Sequence, residues 1–233
     1  MEGETKMKQK AIIFDASTII SFAMNGLFPE LRELKKVFKG YFIIPYEVKY
    51  EVIDKPMKIK RFELEALRVQ QLLNEKVLEM PEILGINPEE ISKKTKEIFD
   101  MANSTFIDSK RTIHLIDSGE CAALALSEML NKKNIPNLLA VDERTTRSLI
   151  EDPEEMRKFL QKKLHTSINP KKQNYNFFQQ FKVIRSTELI YLAHKKGLVR
   201  LKDPQALDAL LWAMKFKGCA ISGDEIEEIK RLG

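Results

Sequence analysis

At 233 residues the chain can bury a full hydrophobic core, and its 43% apolar and 31% charged content is ordinary for a globular protein. No run approaches the roughly 20 apolar residues that cross a bilayer, and the opening MEGETKMKQK lacks the apolar stretch of a signal peptide. A cytoplasmic, non-membrane protein is therefore expected. The net charge of +5 is unevenly placed, since residues 156–187 hold eight Lys or Arg and no Asp or Glu, leaving the rest at −3. Cys121 and Cys219 stand apart in apolar stretches, and His114, His165 and His194 are scattered. That spacing argues against a disulfide framework, a zinc site or thiol chemistry.

KAIIFDAS (residues 10–17) reads as a short buried strand ending at an acid. Pro29 can open a helix over 30–38 that Gly40 ends. YFIIP (41–45) is a second strand, followed by a helix with Val48 and Val52 one turn apart on its inner face. Residues 62–73 are expected as an amphipathic helix with Leu64, Leu67 and Leu72 among its apolar positions. Residues 80–115 hold a helix over 88–101, with Ile91 and Ile98 seven residues apart, then a polar stretch, NSTFIDSKRT. This segment reads as an insertion or cap. Asp117-Ser118-Gly119-Glu120 leads into the alanine-rich helix ECAALALSEMLNKK, and Pro136 separates it from a third strand, NLLAVD, again finishing at an acid. Pro153 opens the basic segment, FKVIRS (181–186) is a fourth strand, and helices over 188–196, 204–217 and 222–232 follow. Strands alternating with helices indicate an α/β fold with a parallel sheet covered on both faces.

In an open parallel sheet, ligands gather at the carboxyl ends of the strands. Asp15 and Asp142 end two strands there, Glu47 and Glu51 lie one turn apart after the second strand, and Glu120 sits in a first helical turn. Clustered carboxylates hold each other's pKa values up unless a cation is shared. Oxygen ligands of this kind suit Mg²⁺ or Mn²⁺, which promote phosphodiester hydrolysis. Each acid also has a plainer reading. Asp15 and Asp142 can begin turns, Asp117-x-x-Glu120 fits a capping box, and Glu47 with Glu51 can be a solvated helix face.

Four segments resemble the PIN-domain nucleases, in particular an archaeal and bacterial subgroup. IIFDASTIISFA is similar to the family's opening strand and first acid, PYEVKYEVI to the helix bearing the second, with the match on Glu51. DSGECAALALSEM resembles the G-E-x-x-A helix and LLAVDERTTRSL the strand ending in D-E-x-x-x-R. FKVIRSTELIYLAHKKGLV and LLWAMKFKGCAIS look like the subgroup's last strand and closing helices, so the likeness covers roughly residues 10–75, 116–150 and 181–232. The resemblance implies a three-layer α/β/α PIN-like fold in a single domain over 1–233, with helical and basic insertions at about 80–115 and 153–180. It also implies a Mg²⁺- or Mn²⁺-dependent ribonuclease in which Asp15, Glu51, Glu120 and Asp142 bind the metal and act in catalysis. Ser17 would support the site by hydrogen bonding, and Arg147 is the matching arginine. Glu143 and Asp117, beside the matched acids, are ranked below the four. Dimerisation and an antitoxin-like protein partner are implied by relatives.

The basic segment combines Arg157, Lys158, Lys162, Lys163, Lys171 and Lys172 with Tyr175, Phe177 and Phe178. Cations attract any phosphate backbone, and aromatics can stack bases. The cations read as an RNA-gripping arm, the phenylalanines as core. RNA processing is thus the leading use, a toxin of a toxin–antitoxin pair the near rival, and a non-catalytic PIN-like RNA-binding module the alternative of another class.

Overall fold

The apolar run AIIF forms β1 (Ala11–Phe14), and all four of its residues are buried. It is joined by β2 (Tyr41–Ile43), β3 (Phe106–Asp108), β4 (Arg111–Thr112), β5 (Asn137–Ala140), β6 (Ile168–Pro170) and β7 (Val183–Ile184) in the computed structural model, which describes residues 9–108 and 111–232. The helices are α1 (Ala16–Met24), α2 (Phe28–Phe38), α3 (Tyr46–Lys49), α4 (Glu63–Asn74), α5 (Pro88–Ala102) and α6 (Ser118–Lys132). They continue as α7 (Arg144–Glu151), α8 (Pro153–Leu164), α9 (Tyr175–Phe178), α10 (Ser186–Lys195), α11 (Ala206–Phe216) and α12 (Gly223–Arg231).

The main sheet runs β2-β1-β5-β7, with every neighbouring pair parallel. Alternation along β1 divides the core. Ile12 and Phe14 join Phe42 and Ala140 in one cluster with Ile19, Leu31, Ile190 and Leu211 of the helices on that side. Ala11 and Ile13 join Ile43, Leu139 and Val141 in another with Ile98, Leu124 and Leu126. Helices therefore cover both faces, and each buried Ile, Leu or Phe contributes about 1.5–3 kcal/mol relative to exposure. From β1 the chain passes to β2 on one side and later to β5 on the other. The crevice at the carboxyl ends of β1 and β5 is thus the switch point where open α/β sheets take their ligands. Among the described residues, no helix is long and apolar enough to cross a membrane.

The four expected sheet strands form, while the intervening segments differ from expectation in instructive ways. Asp15 ends β1 and also caps a helix that the strand-then-turn reading missed: its Oδ2 accepts from the Ser17 amide at 3.0 Å, starting α1. The left-handed residue ending α2 is Lys39 rather than Gly40. Gly40 is instead required by close approach, because a Cβ there would lie 2.7 Å from the Lys10 carbonyl oxygen. In α4 the inward stripe is Ala66, Val69 and Leu72, and Leu64 and Leu67 face solvent. Between α3 and α4 the chain forms a π-turn, Tyr50–Asp54, that carries Glu51 and keeps both Val48 and Val52 buried.

The two segments expected as insertions build one unit together. β3 pairs antiparallel with both β4 and β6, so residues from about 80–115 and 153–180 share a second sheet. Asn174 Nδ2 donates to the Met101 carbonyl at 3.2 Å and to Thr105 Oγ1 at 3.0 Å, and Thr166 Oγ1 donates to Asp108 Oδ1 at 2.8 Å. Helix α5 lays Ile91 and Ile98 into the same core cluster as Leu124 of α6. The polar stretch NSTFIDSKRT thus contributes strands β3 and β4, apart from positions 109 and 110, which lie outside the described residues.

Candidate active site

Asp15 and Asp142 arrive at the switch point on the ends of β1 and β5, and both are buried. One hydroxyl links them. Ser17 Oγ donates to Asp15 Oδ2 at 2.6 Å and accepts from the Asp142 amide at 3.0 Å, joining positions 125 apart in sequence. Asp142 Oδ1 accepts from the Ser186 amide at 2.8 Å, while its buried Oδ2 has no hydrogen-bond partner among the described residues.

Glu51 reaches the same place from the π-turn, a local geometry often found at functional sites. A Cβ built on Gly119 would stand 3.1 Å from Glu51 Oε2 and 4.0 Å from Asp15 Oδ1, so a bare glycine lets both carboxylates lie close against the first turn of α6. Glu120, next along α6, has both oxygens engaged. Oε2 accepts from the Asp117 amide, the returning half of a capping box, and Oε1 accepts from Thr146 Oγ1 at 2.9 Å.

The electrostatics converge on Asp15. Burial raises its pKa and the nearby Asp142 carboxylate adds to the rise, against hydrogen bonds from Ser17 and the Ala16 amide. Glu51 is raised by burial, then by the charges of Asp15 and Asp117, with Lys55 opposing. Glu120 is pushed up to about 8, chiefly by burial and then by Asp15, despite its bonds to the Asp117 amide and Thr146. Carboxyls held this way are short of positive charge. A hard divalent cation fits that deficit by chemistry and by the unpartnered Asp142 Oδ2. As the side chains stand, no group of three His, Cys, Asp or Glu among the described residues converges within ligating reach of one point. Glu120 is turned to its capping bond and Asp142 Oδ1 to Ser186, so a shared ion requires Glu51 and Glu120 to swing toward Asp15.

The lower-ranked acids hold other posts. Glu143 caps α7, Oε2 accepting from the Thr146 amide at 2.8 Å, and Asp117 is exposed and paired with His114 at 2.7 Å. Glu47 carries a buried Oε2 without a partner among the described residues. Arg147 does not reach the acids. Its NH1 donates to the Ala220 carbonyl at 2.7 Å, and the Ala220 amide donates to the Asp142 carbonyl at 3.1 Å, so it braces the backbone behind the site.

Of the six basic-segment cations, Arg157 bonds Glu154 at 2.7 Å and Lys158 pairs with Glu155, which shields both. Lys162, Lys163 and Lys172 are exposed and Lys171 is half-buried. The aromatics pack inward: Phe178 and Phe181 are buried, Phe177 meets them edge-on at 5.2 and 5.4 Å, and Tyr175 lies 6.0 Å from Phe106.

Four site contributors escaped the sequence reading. Gly119, Thr146 and Ser186 carried weak local signals: a glycine inside D-S-G-E, a threonine three residues after a capping acid, and a hydroxyl ending the fourth strand. Cys219 had none. Its thiol is pushed up to about 12 by burial and then by Asp142. Comparisons with protein families, with curated proteins and with solved structures found no match.

Proposed function

We propose that this chain is a Mg²⁺- or Mn²⁺-dependent endoribonuclease, a single domain with a PIN-like three-layer α/β/α fold, used in RNA processing. The observation that supports the reading is that Asp15, Glu51, Glu120 and Asp142 lie near enough to act on one another electrically, burial first and then the Asp15 charge raising the pKa values of Glu51 and Glu120. Those four would hold the metal, with Asp15 and Asp142 as rigid members and Glu51 and Glu120 as the adjustable ones.

A divalent ion bound there supplies neutralisation of phosphate charge and a water of lowered pKa. Ser17 fixes the orientation of Asp15 and couples it to the Asp142 backbone. Ser186 holds one Asp142 oxygen and so presents the other. Burial and then the Asp15 charge push the Glu120 carboxyl up to about 8, a strain that a bound cation would relieve. No histidine or serine nucleophile is needed for this hydrolysis.

The test is incubation of structured and unstructured RNAs with Mn²⁺, comparing wild type with Asp15→Asn. The wild type is expected to cleave and the variant to be slower by about 100-fold or more, about 2.7 kcal/mol of lost transition-state stabilisation. Equal rates for the two proteins would overturn the assignment.

A further inference from the structure

Helices α7 and α8 pack side by side and leave an open groove of about 350 Å³, lined by Arg144, Ser148, Phe159 and Lys162 together with the acids Glu151, Asp152 and Glu155. Arg144 lies two residues beyond Asp142, so their Cα atoms are at most about 7.6 Å apart. Its guanidinium sits 4.7 Å over the Phe159 ring, and Lys163 Nζ lies 5.8 Å from the same ring. Phe159 is 37% exposed, unlike the phenylalanines further along the segment that pack into the core.

Charge in the groove is unevenly satisfied. Of its acids, Glu155 pairs with Lys158 and Glu151 lies 3.6 Å from Arg147, while Asp152 keeps its charge and accepts from the Glu155 amide at 2.9 Å. Arg144, Lys162 and Lys163 are exposed and have no acidic partner among the described residues. A guanidinium resting on an aromatic face is held in place while its N–H edge stays free, and that planar fork matches a phosphate.

We propose that Arg144, steadied by Phe159 and flanked by Lys162 and Lys163, is a subsite for a backbone phosphate of the substrate strand next to the one being cut. This rests on the nuclease reading above. The groove takes a single strand, because unpaired nucleotides can follow a narrow charged path and lay a base on an exposed ring. Phosphate is favoured over the carboxylates of an acidic protein because Arg144 follows Asp142 by two residues and so belongs to the same stretch of chain as a candidate ligand of the site.

The probe is a fluorescein-labelled oligouridylate of twelve nucleotides, titrated in EDTA so that binding is read without cleavage. Arg144→Gln is expected to weaken binding about 10-fold, and Phe159→Leu to give part of that loss. In a salt series, Arg144→Gln combined with Lys162→Gln and Lys163→Gln is expected to lower the slope of log K against log salt by about 2, from roughly 0.7 per phosphate contact on single strands. Thermal melts of each variant confirm folding. Unchanged affinity and slope, with Mn²⁺-dependent cleavage intact in wild type and lost in Asp15→Asn, overturn the subsite and leave the nuclease reading standing. Arg144-dependent binding without any Mn²⁺ cleavage supports a strand-phosphate site at Arg144 but overturns the nuclease reading and, with it, the placement next to a cut. Equal binding of uridine monophosphate shows a free-nucleotide site, and preference for polyglutamate shows a protein partner. Either result overturns the strand assignment.

Discussion

Replacing Glu120 by glutamine removes a charge that the fold resists and keeps the side chain's shape. The amide oxygen can still accept from the Asp117 N–H, and the amide nitrogen can donate to the Thr146 hydroxyl. In the folded wild type the Glu120 carboxyl titrates near 8 against its ordinary value of 4.5. Between those values the folded chain holds a proton that the unfolded chain has released, so stability falls as pH rises through that window. Each pH unit costs about 1.4 kcal/mol, so from pH 5.5 to 7.5 the loss is about 2.7 kcal/mol. For a chain of this size that is a fall in Tm of roughly 5–11 °C. Asp15 and Glu51, also raised, add to the decline in both proteins, so the quantity to read is the difference between wild type and Glu120→Gln. Thermal melts in EDTA across that range should show the variant gaining on the wild type with each step upward. Parallel profiles would refute the reasoning, since they would mean that Glu120 ionises as freely in the fold as in the unfolded chain.

Gly119→Ala puts a methyl 3.1 Å from Glu51 Oε2 and 4.0 Å from Asp15 Oδ1, which pushes Glu51 aside. Mn²⁺-dependent cleavage should drop at least about 10-fold, about 1.4 kcal/mol, while the melting temperature holds. Ser17→Ala removes both the 2.6 Å bond to Asp15 and the acceptor for the Asp142 amide. It should cost about 1–3 kcal/mol in urea denaturation and weaken Mn²⁺ binding measured by calorimetry. Asn103 accepts from the Leu115 and Ile116 amides at 2.5 and 3.1 Å and donates to the Ile116 carbonyl at 3.0 Å, tying down the entry to α6. Asn103→Ala should lower stability by about 2–4 kcal/mol and slow cleavage through the displaced Glu120.

What could be read in advance was whatever a short stretch of chain decides by itself. An apolar run closed by Asp marks a buried strand in a few residues, so β1 and β5 and their acids were visible. Ser222 capping α12 through the Glu225 amide at 3.1 Å is equally local. Helix α1 was hidden because ASTIISFAM buries so many of its positions that its helical period does not stand out. In α4 two apolar stripes compete, and packing against the turn Pro56–Lys58, the π-turn and α1 selects Ala66, Val69 and Leu72 over Leu64 and Leu67. Strands β3 and β6 are three residues each, and the Thr166–Asp108 bond beside their pairing spans 58 positions. No local pattern carries a pairing of that range. The same holds within the candidate site, where each acid was visible singly and Gly119 between Glu51 and Asp15 was not.

The β3–β6 pairing makes the two extra segments mutually dependent. A shortened chain lacking 153–180 would strip Phe106 of its Tyr175 neighbour and leave β3 an open edge inviting association with other chains. A chain lacking 80–115 would take Lys94 from beside the Phe177 ring and uncover α6, on which Glu120 rides. Neither piece can be transplanted or trimmed alone, so any ancestor or designed relative should carry both or neither.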